Sequence, residues 1–180
     1  MTSSPEDRRA NLLNVAWVQL GCAGPLVAAG LGSRPVAAVI GWVALGLALV
    51  ITRTRARDAV VASACLVAGT AAEWGLSATG AMHFTDAAWP PGIPPWLPPS
   101  WALVGLLWLY PLRRLRRATP AILGLGVVFG ALGLWGAVAV GEIVLVSTRE
   151  TIAVVATLGL VVAASARIAT LADERLTPRR

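Results

Sequence analysis

Six long apolar runs, each parted from the next by a short polar segment, dominate this sequence; they cover about 12–31, 36–52, 59–82, 99–112, 120–141 and 151–171. A helix needs about 20 apolar residues to cross the hydrocarbon layer of a bilayer. Hydrocarbon also demands that every backbone N–H and C=O be paired within the protein, which leaves helices and closed barrels as the spanning forms. The runs are continuous, whereas the strands of a membrane barrel alternate apolar and polar residues. The expected fold is therefore all-α: a polytopic transmembrane bundle of six helices, forming a single integral membrane domain over residues 1–180.

Composition excludes the main competitors. Only 13% of the residues are charged and the mean hydropathy is +0.72, against about 25% charged in a soluble domain. Disorder requires low hydrophobicity and high charge, the reverse of what is present. The first run is longer than the apolar core of about 7–15 residues in a signal peptide, so it is expected to remain as the first span.

The net charge is +6 and the pI about 11.2, a balance that invites a nucleic-acid reading. That reading fails because the arginines sit in short clusters between apolar runs and form no basic face. With the N-terminus inside, the inner segments carry Arg8, Arg9, Arg53, Arg55, Arg57, Arg113, Arg114, Arg116, Arg117, Arg175, Arg179 and Arg180, and the outer ones only Arg34 and Arg149. Cytoplasmic segments carry the excess of basic residues. The expectation is that both termini are cytoplasmic and that the protein lies in a bacterial inner membrane, the arginine-only, alanine-rich composition being that of a GC-rich genome. Residues 83–98, dense in proline and tryptophan, are expected to form an ordered, non-helical outer cap, because proline removes a backbone donor and breaks helices.

Metal and common catalytic chemistry find no foothold. Cys22 and Cys65 lie inside apolar runs without a CxxC spacing, and His83 stands alone, so no metal site is expected and any cofactor is unknown. No Gly-rich phosphate loop with lysine, G-x-S-x-G or H-E-x-x-H pattern occurs.

Glu73, in AGTAAEWGLSATG, is the most informative residue. A charged carboxylate at mid-membrane costs on the order of 2.5–3.5 kcal/mol, so it must face a partner, a cavity or a ligand, or hold its proton. Helical rise of about 1.5 Å per residue puts it roughly 20 Å across, in the outer half, level with Trp108 and Trp135 and next to Trp74. Thr70 and Ser77 share its side of the helix. No second buried carboxylate is expected, Asp86 and Glu142 being assigned to the interface. Three readings of Glu73 compete: a structural hydrogen-bond node, reaching an indole or Asn14 or Gln19 of the first span; the anchor of an apolar pocket; and a proton relay. The pocket reading names Glu73, Trp74, Ser77, Trp101, Trp108, Trp135, Asn14 and Gln19 as ligand-binding. Trp89, Trp96 and Trp101 are expected at the outer interface, as anchors or as a lid. Gly126-xxx-Gly130, Gly133-xxx-Ala137-xxx-Gly141, Ala68-xxx-Ala72 and Ala71-xxx-Gly75 fit close helix packing or an oligomer contact.

Several stretches together resemble a bacterial multi-pass membrane family, domain of unknown function 2878. They are Gly69-xxx-Glu73-xx-Leu76-xxx-Gly80-xxx-Phe84, Pro95-Trp96-Leu97, Leu107-Trp108, the segment GALGLWGAVAVGEI at 130–143, and Asn14 with Gln19-Leu20-Gly21. The family carries aspartate where this chain has Glu73. The resemblance implies an integral membrane protein without an assigned activity. Trp96-Leu97-Pro98-Pro99-Ser100-Trp101 also resembles the Trp-x-Pro-Pro-x-Trp signature of the tryptophan-rich sensory protein (translocator protein) family. That local likeness implies an aromatic pocket for porphyrin- or sterol-like ligands.

Three functions are consistent with these residues. The leading one is a non-catalytic or accessory membrane protein that binds a lipid-like or other apolar molecule in an aromatic, singly acidic pocket in the outer half of the bilayer. The others are a lipid-modifying enzyme with Glu73 as acid or base, and a structural subunit of a larger membrane complex. The expected partners are membrane lipid, an apolar small molecule, and another membrane protein or a second copy of the chain, with nucleic acid excluded.

Overall fold

A computed structural model describes residues 20–52, 54–85, 92–145 and 147–176. The elements in chain order are α1 (Leu20–Gly30), α2 (Arg34–Ile51), α3 (Arg55–Ala78), β1 (His83–Phe84), α4 (Leu97–Leu109), a 3₁₀ turn (Leu115–Arg117), α5 (Thr119–Ala139), β2 (Ile143–Val144) and α6 (Thr148–Leu176). The fold is an all-α bundle of six helices. Of these, α2, α3, α5 and α6 are long and apolar enough to cross a membrane, while the described part of α1 and α4 are shorter. The outward faces are themselves apolar, with Val39, Val43 and Val50 on α2, Val127, Leu132 and Trp135 on α5, and Ile152 and Leu160 on α6 exposed. A water-soluble monomer rarely exposes contiguous apolar patches larger than a few hundred Å²; the bundle is that of a membrane protein.

Proline placement starts three of the helices. Pro35, Pro98 and Pro120 each fall in the first turn of α2, α4 and α5, where the missing N–H would have no intrahelical partner anyway. Glycine ends α3 and α5 in the same way. Gly80 (φ +75°) and Gly141 (φ +76°) adopt the left-handed conformation, which costs a residue without Cβ nothing. In each, the next residue's N–H reaches back to close the turn, Ala81 to the Leu76 carbonyl and Glu142 to the Ala137 carbonyl. These matched caps steer the chain into β1 and β2, which pair antiparallel with His83 opposite Val144 and Phe84 opposite Ile143. The continuous apolar runs pointed away from strands, and this two-residue ladder is the exception among the described residues. The Thr85 N–H continues it to the Glu142 carbonyl.

The centre is α4. It is apolar all round and buried on nearly every side, as such a helix must be, and it packs against α2, α3 and α6. Small residues set these contacts. A Cβ on Gly105 would lie 2.7 Å from the Cys65 Sγ of α3, and one on Gly41 of α2 would lie 3.0 Å from Pro99. Helix α5 crosses α6 where a Cβ on Gly126 would stand 2.5 Å from the Gly159 carbonyl oxygen. The Gly126-xxx-Gly130 stripe therefore packs within the chain, whereas a Cβ on Gly75 or Gly133 would meet no atom within 4 Å.

One end of the bundle is tied by a buried ionic network that corrects the expectation of a lone buried carboxylate. Asp58, at the start of α3, is fully buried. It accepts hydrogen bonds from Thr54 Oγ1 at 3.2 Å, from Arg57 Nε at 2.9 Å and from the Tyr110 hydroxyl. Arg57 also donates to Asp173 of α6 at 2.6 Å and to the Tyr110 oxygen at 3.2 Å, with its guanidinium 5.7 Å over the Tyr110 ring. Asp173 further accepts from buried Arg116 and, at 3.4 Å, from exposed Arg113. Burial, and then the Asp58 carboxylate, hold the Tyr110 phenol above its ordinary range, so it remains the donor. The network joins α3, the end of α4, the 3₁₀ turn and α6. At the opposite end Glu142 is buried too and accepts from Arg34 at 3.3 Å; it is an internal partner of α2.

Candidate functional site

An apolar cavity of about 350 Å³ lies between α4 and the helices α1, α5 and α6. This is at the lower end of the roughly 300–1,000 Å³ typical of small-molecule sites. Its floor is one face of α4. Leu97, Ser100, Trp101, Val104, Leu107 and Trp108 line it, and their spacing of three and four residues is that of a single helical stripe. From Leu97 to Trp108 these lining residues span about 16 Å of the α4 axis, at about 1.5 Å per residue. Leu26 and Cys22 of α1, Phe129 and Gly133 of α5, and Leu158 of α6 supply the other walls, and Met82 and Ile143 stand beside the β1–β2 ladder. The Cys22 thiol lies 4.0 Å from the Ser100 carbonyl, across the α1–α4 seam.

Glu73 reaches this slot from α3. Its side chain is buried, and its Oε2 has no hydrogen-bond partner among the described residues. The Trp101 indole approaches the carboxyl group without closing a hydrogen bond of normal geometry. Trp101 is seated by Gly69, one turn before Glu73: a Cβ there would overlap the indole ring. The indole nitrogens of Trp96, Trp101 and Trp108 are buried without partners, as is the Thr70 hydroxyl. Buried polar groups are normally paired, and each exception calls for an explanation. Here four of them, Glu73 and three tryptophans, belong to residues lining one cavity.

The structure sorts the residues expected at the site. Glu73, Trp101 and Trp108 come together around the slot. Trp74 and Trp135 do not: they are 49% and 71% exposed on the outer surface of α3 and α5. Successive positions on a helix turn by about 100°, so adjacency to Glu73 in sequence carries Trp74 off its face. Ser77 is partly buried and does not line the cavity. Asn14, Gln19, Asp86 and Trp89 lie outside the described residues. Trp96 and Trp101, expected at the outer interface, are inside the bundle at 2% and 7% exposure. Trp96 and Ser100 were not singled out as site residues, although the i, i+4 spacing of Trp96, Ser100, Val104 and Trp108 carried the signal. Among the described residues, no cluster of His, Cys, Asp or Glu could hold a metal ion.

In comparisons with known proteins, the family described as Protein of unknown function (DUF2878) matches residues 11–166. No curated protein and no solved structure matches the chain.

Proposed function

The chain belongs to the DUF2878 family, whose description assigns no activity, and on that premise we propose that it holds a lipid-like molecule in the α4 slot, with Glu73 as the polar anchor. The observation that carries this reading is the buried carboxyl oxygen without a partner on the wall of an otherwise apolar cavity. An unpaired buried acceptor costs about 1–3 kcal/mol, more if charged, and a ligand hydrogen bond would offset that cost. The slot lies toward the bundle end that carries Arg34 and the β1–β2 ladder. The excess of arginine in the segments at the other end supports a cytoplasmic assignment for that other end, with both termini, in a bacterial inner membrane. The slot then sits in the outer half of the bilayer. The role is binding rather than turnover.

Native mass spectrometry of the detergent-purified chain tests this. A retained lipid-like adduct is expected on the wild type, diminished on Glu73→Ala. An adduct-free chain bound to a stoichiometric protein partner would replace the reading with that of a subunit. Turnover of added lipid that vanishes in Glu73→Gln would replace it with that of an enzyme.

A further inference from the structure

We propose that the ligand is a single-chain, uncharged lipid-like alcohol, lying along α4 with its hydroxyl at Glu73 and Trp101 and its tail toward Trp108; this rests on the reading of the slot as a ligand site. Shape limits the body. The cavity of about 350 Å³ is at the small end of the range for ligand sites. Its lining follows about 11 residues of α4, which suits an extended single chain. A two-tailed phospholipid does not fit it whole.

Charge and hydrogen bonding limit the head. The lining residues include one carboxyl group and no arginine or histidine, so the anionic head of a fatty acid or phosphate ester would be buried there without a counter-charge. An ammonium head would pair with Glu73 but, having donors only, would leave the Trp96 and Trp101 indoles unsatisfied. A hydroxyl donates to the carboxyl and accepts from an indole with the same oxygen. Glu73 and Trp101 stand toward the end of the slot where α4 begins, with Ser100 beside them, its hydroxyl already bonded to the Trp96 carbonyl, and onward from there the α4 lining, Val104 and Leu107, is apolar. That places head and tail.

The experiment is photo-crosslinking of the full chain in nanodiscs with dodecanol carrying a diazirine at its far end, followed by peptide mapping. Labelling is expected around Leu107–Leu112 and the facing part of α5 or α6. Labelling confined to Met82 or Leu97 would overturn the orientation. In competition, unlabelled dodecanol is expected to displace the reagent at concentrations at least about tenfold lower than dodecanoic acid, whose anionic head would be buried without a counter-charge, and lower than dodecylamine, which leaves the Trp96 and Trp101 indoles without an acceptor. In Glu73→Gln, which keeps the size and adds an amide N–H able to donate to an acid head, the gap between alcohol and acid is expected to shrink below about threefold. Equal competition by acid or amine in the wild type would overturn the alcohol assignment and leave the ligand site standing. Failure of every C12 compound, dodecane included, to protect any slot peptide would remove both.

Discussion

Asp173→Ala is expected to destabilise the chain by about 3–5 kcal/mol, the range for removing one member of a buried ion pair and stranding the other. Asp173 serves three guanidinium groups of unequal burial. Arg113 is 63% exposed on its side chain, so its share is that of a surface pair, at most about 1 kcal/mol. Arg57 keeps Asp58 and Tyr110 as partners after the substitution. The loss therefore falls mainly on Arg116, which is buried, has no partner at Nε, and would retain only the Ala169 carbonyl at 3.4 Å. Adding Arg116→Met to Asp173→Ala removes the stranded cation and is expected to recover about 2 kcal/mol or more of the loss. The measurement is equilibrium unfolding in mixed micelles of increasing SDS fraction, followed by tryptophan fluorescence, with Arg113→Ala alongside. Two results would refute the reasoning: Asp173→Ala within about 1 kcal/mol of wild type, or Arg113→Ala costing as much as Asp173→Ala.

Gly69→Ala is expected to push the Trp101 ring out of its seat and into the slot, at an overpacking cost of about 1–3 kcal/mol, with loss of the adduct seen by native mass spectrometry. Gly46→Ala, where a Cβ meets nothing within 4 Å, is expected to leave both stability and adduct unchanged. The chain has one tyrosine and no lysine, so phenolate absorbance in an alkaline titration reports on Tyr110 alone. Because the folded state raises this phenol's pKa, its stabilising contribution is present in full below the ordinary tyrosine value of about 10 and is lost as pH rises toward the folded value. The absorbance midpoint is expected above 10 in the folded protein and at about 10 after denaturation; coincident midpoints would show that neither burial nor Asp58 holds the phenol.

The sequence by itself determined the class of fold. Continuous apolar runs bounded by arginines leave the backbone no option in hydrocarbon but helix. Local signals set the ends of elements as well: Pro98 and Pro120 open helices, and Gly80 and Gly141 close them. Glu73 was legible as the residue that needs an explanation, since a carboxyl group in an apolar helix is costly wherever it points.

Only the tertiary structure decided which way the tryptophans face. Trp108 is fully buried while Trp135 is 71% exposed, yet both sit in glycine- and leucine-rich helices with no polar stripe to orient them. A soluble helix shows its inner face by contrast with water. A helix in lipid meets apolar surroundings on both sides, so packing of small residues, not hydrophobicity, selects the inner face. The same holds for the ionic network. Asp58 and Asp173 lie among arginines at the ends of apolar runs, where a solvated charge is the ordinary expectation. Their burial depends on α3 and α6, more than a hundred residues apart in the chain, arriving side by side against the end of α4.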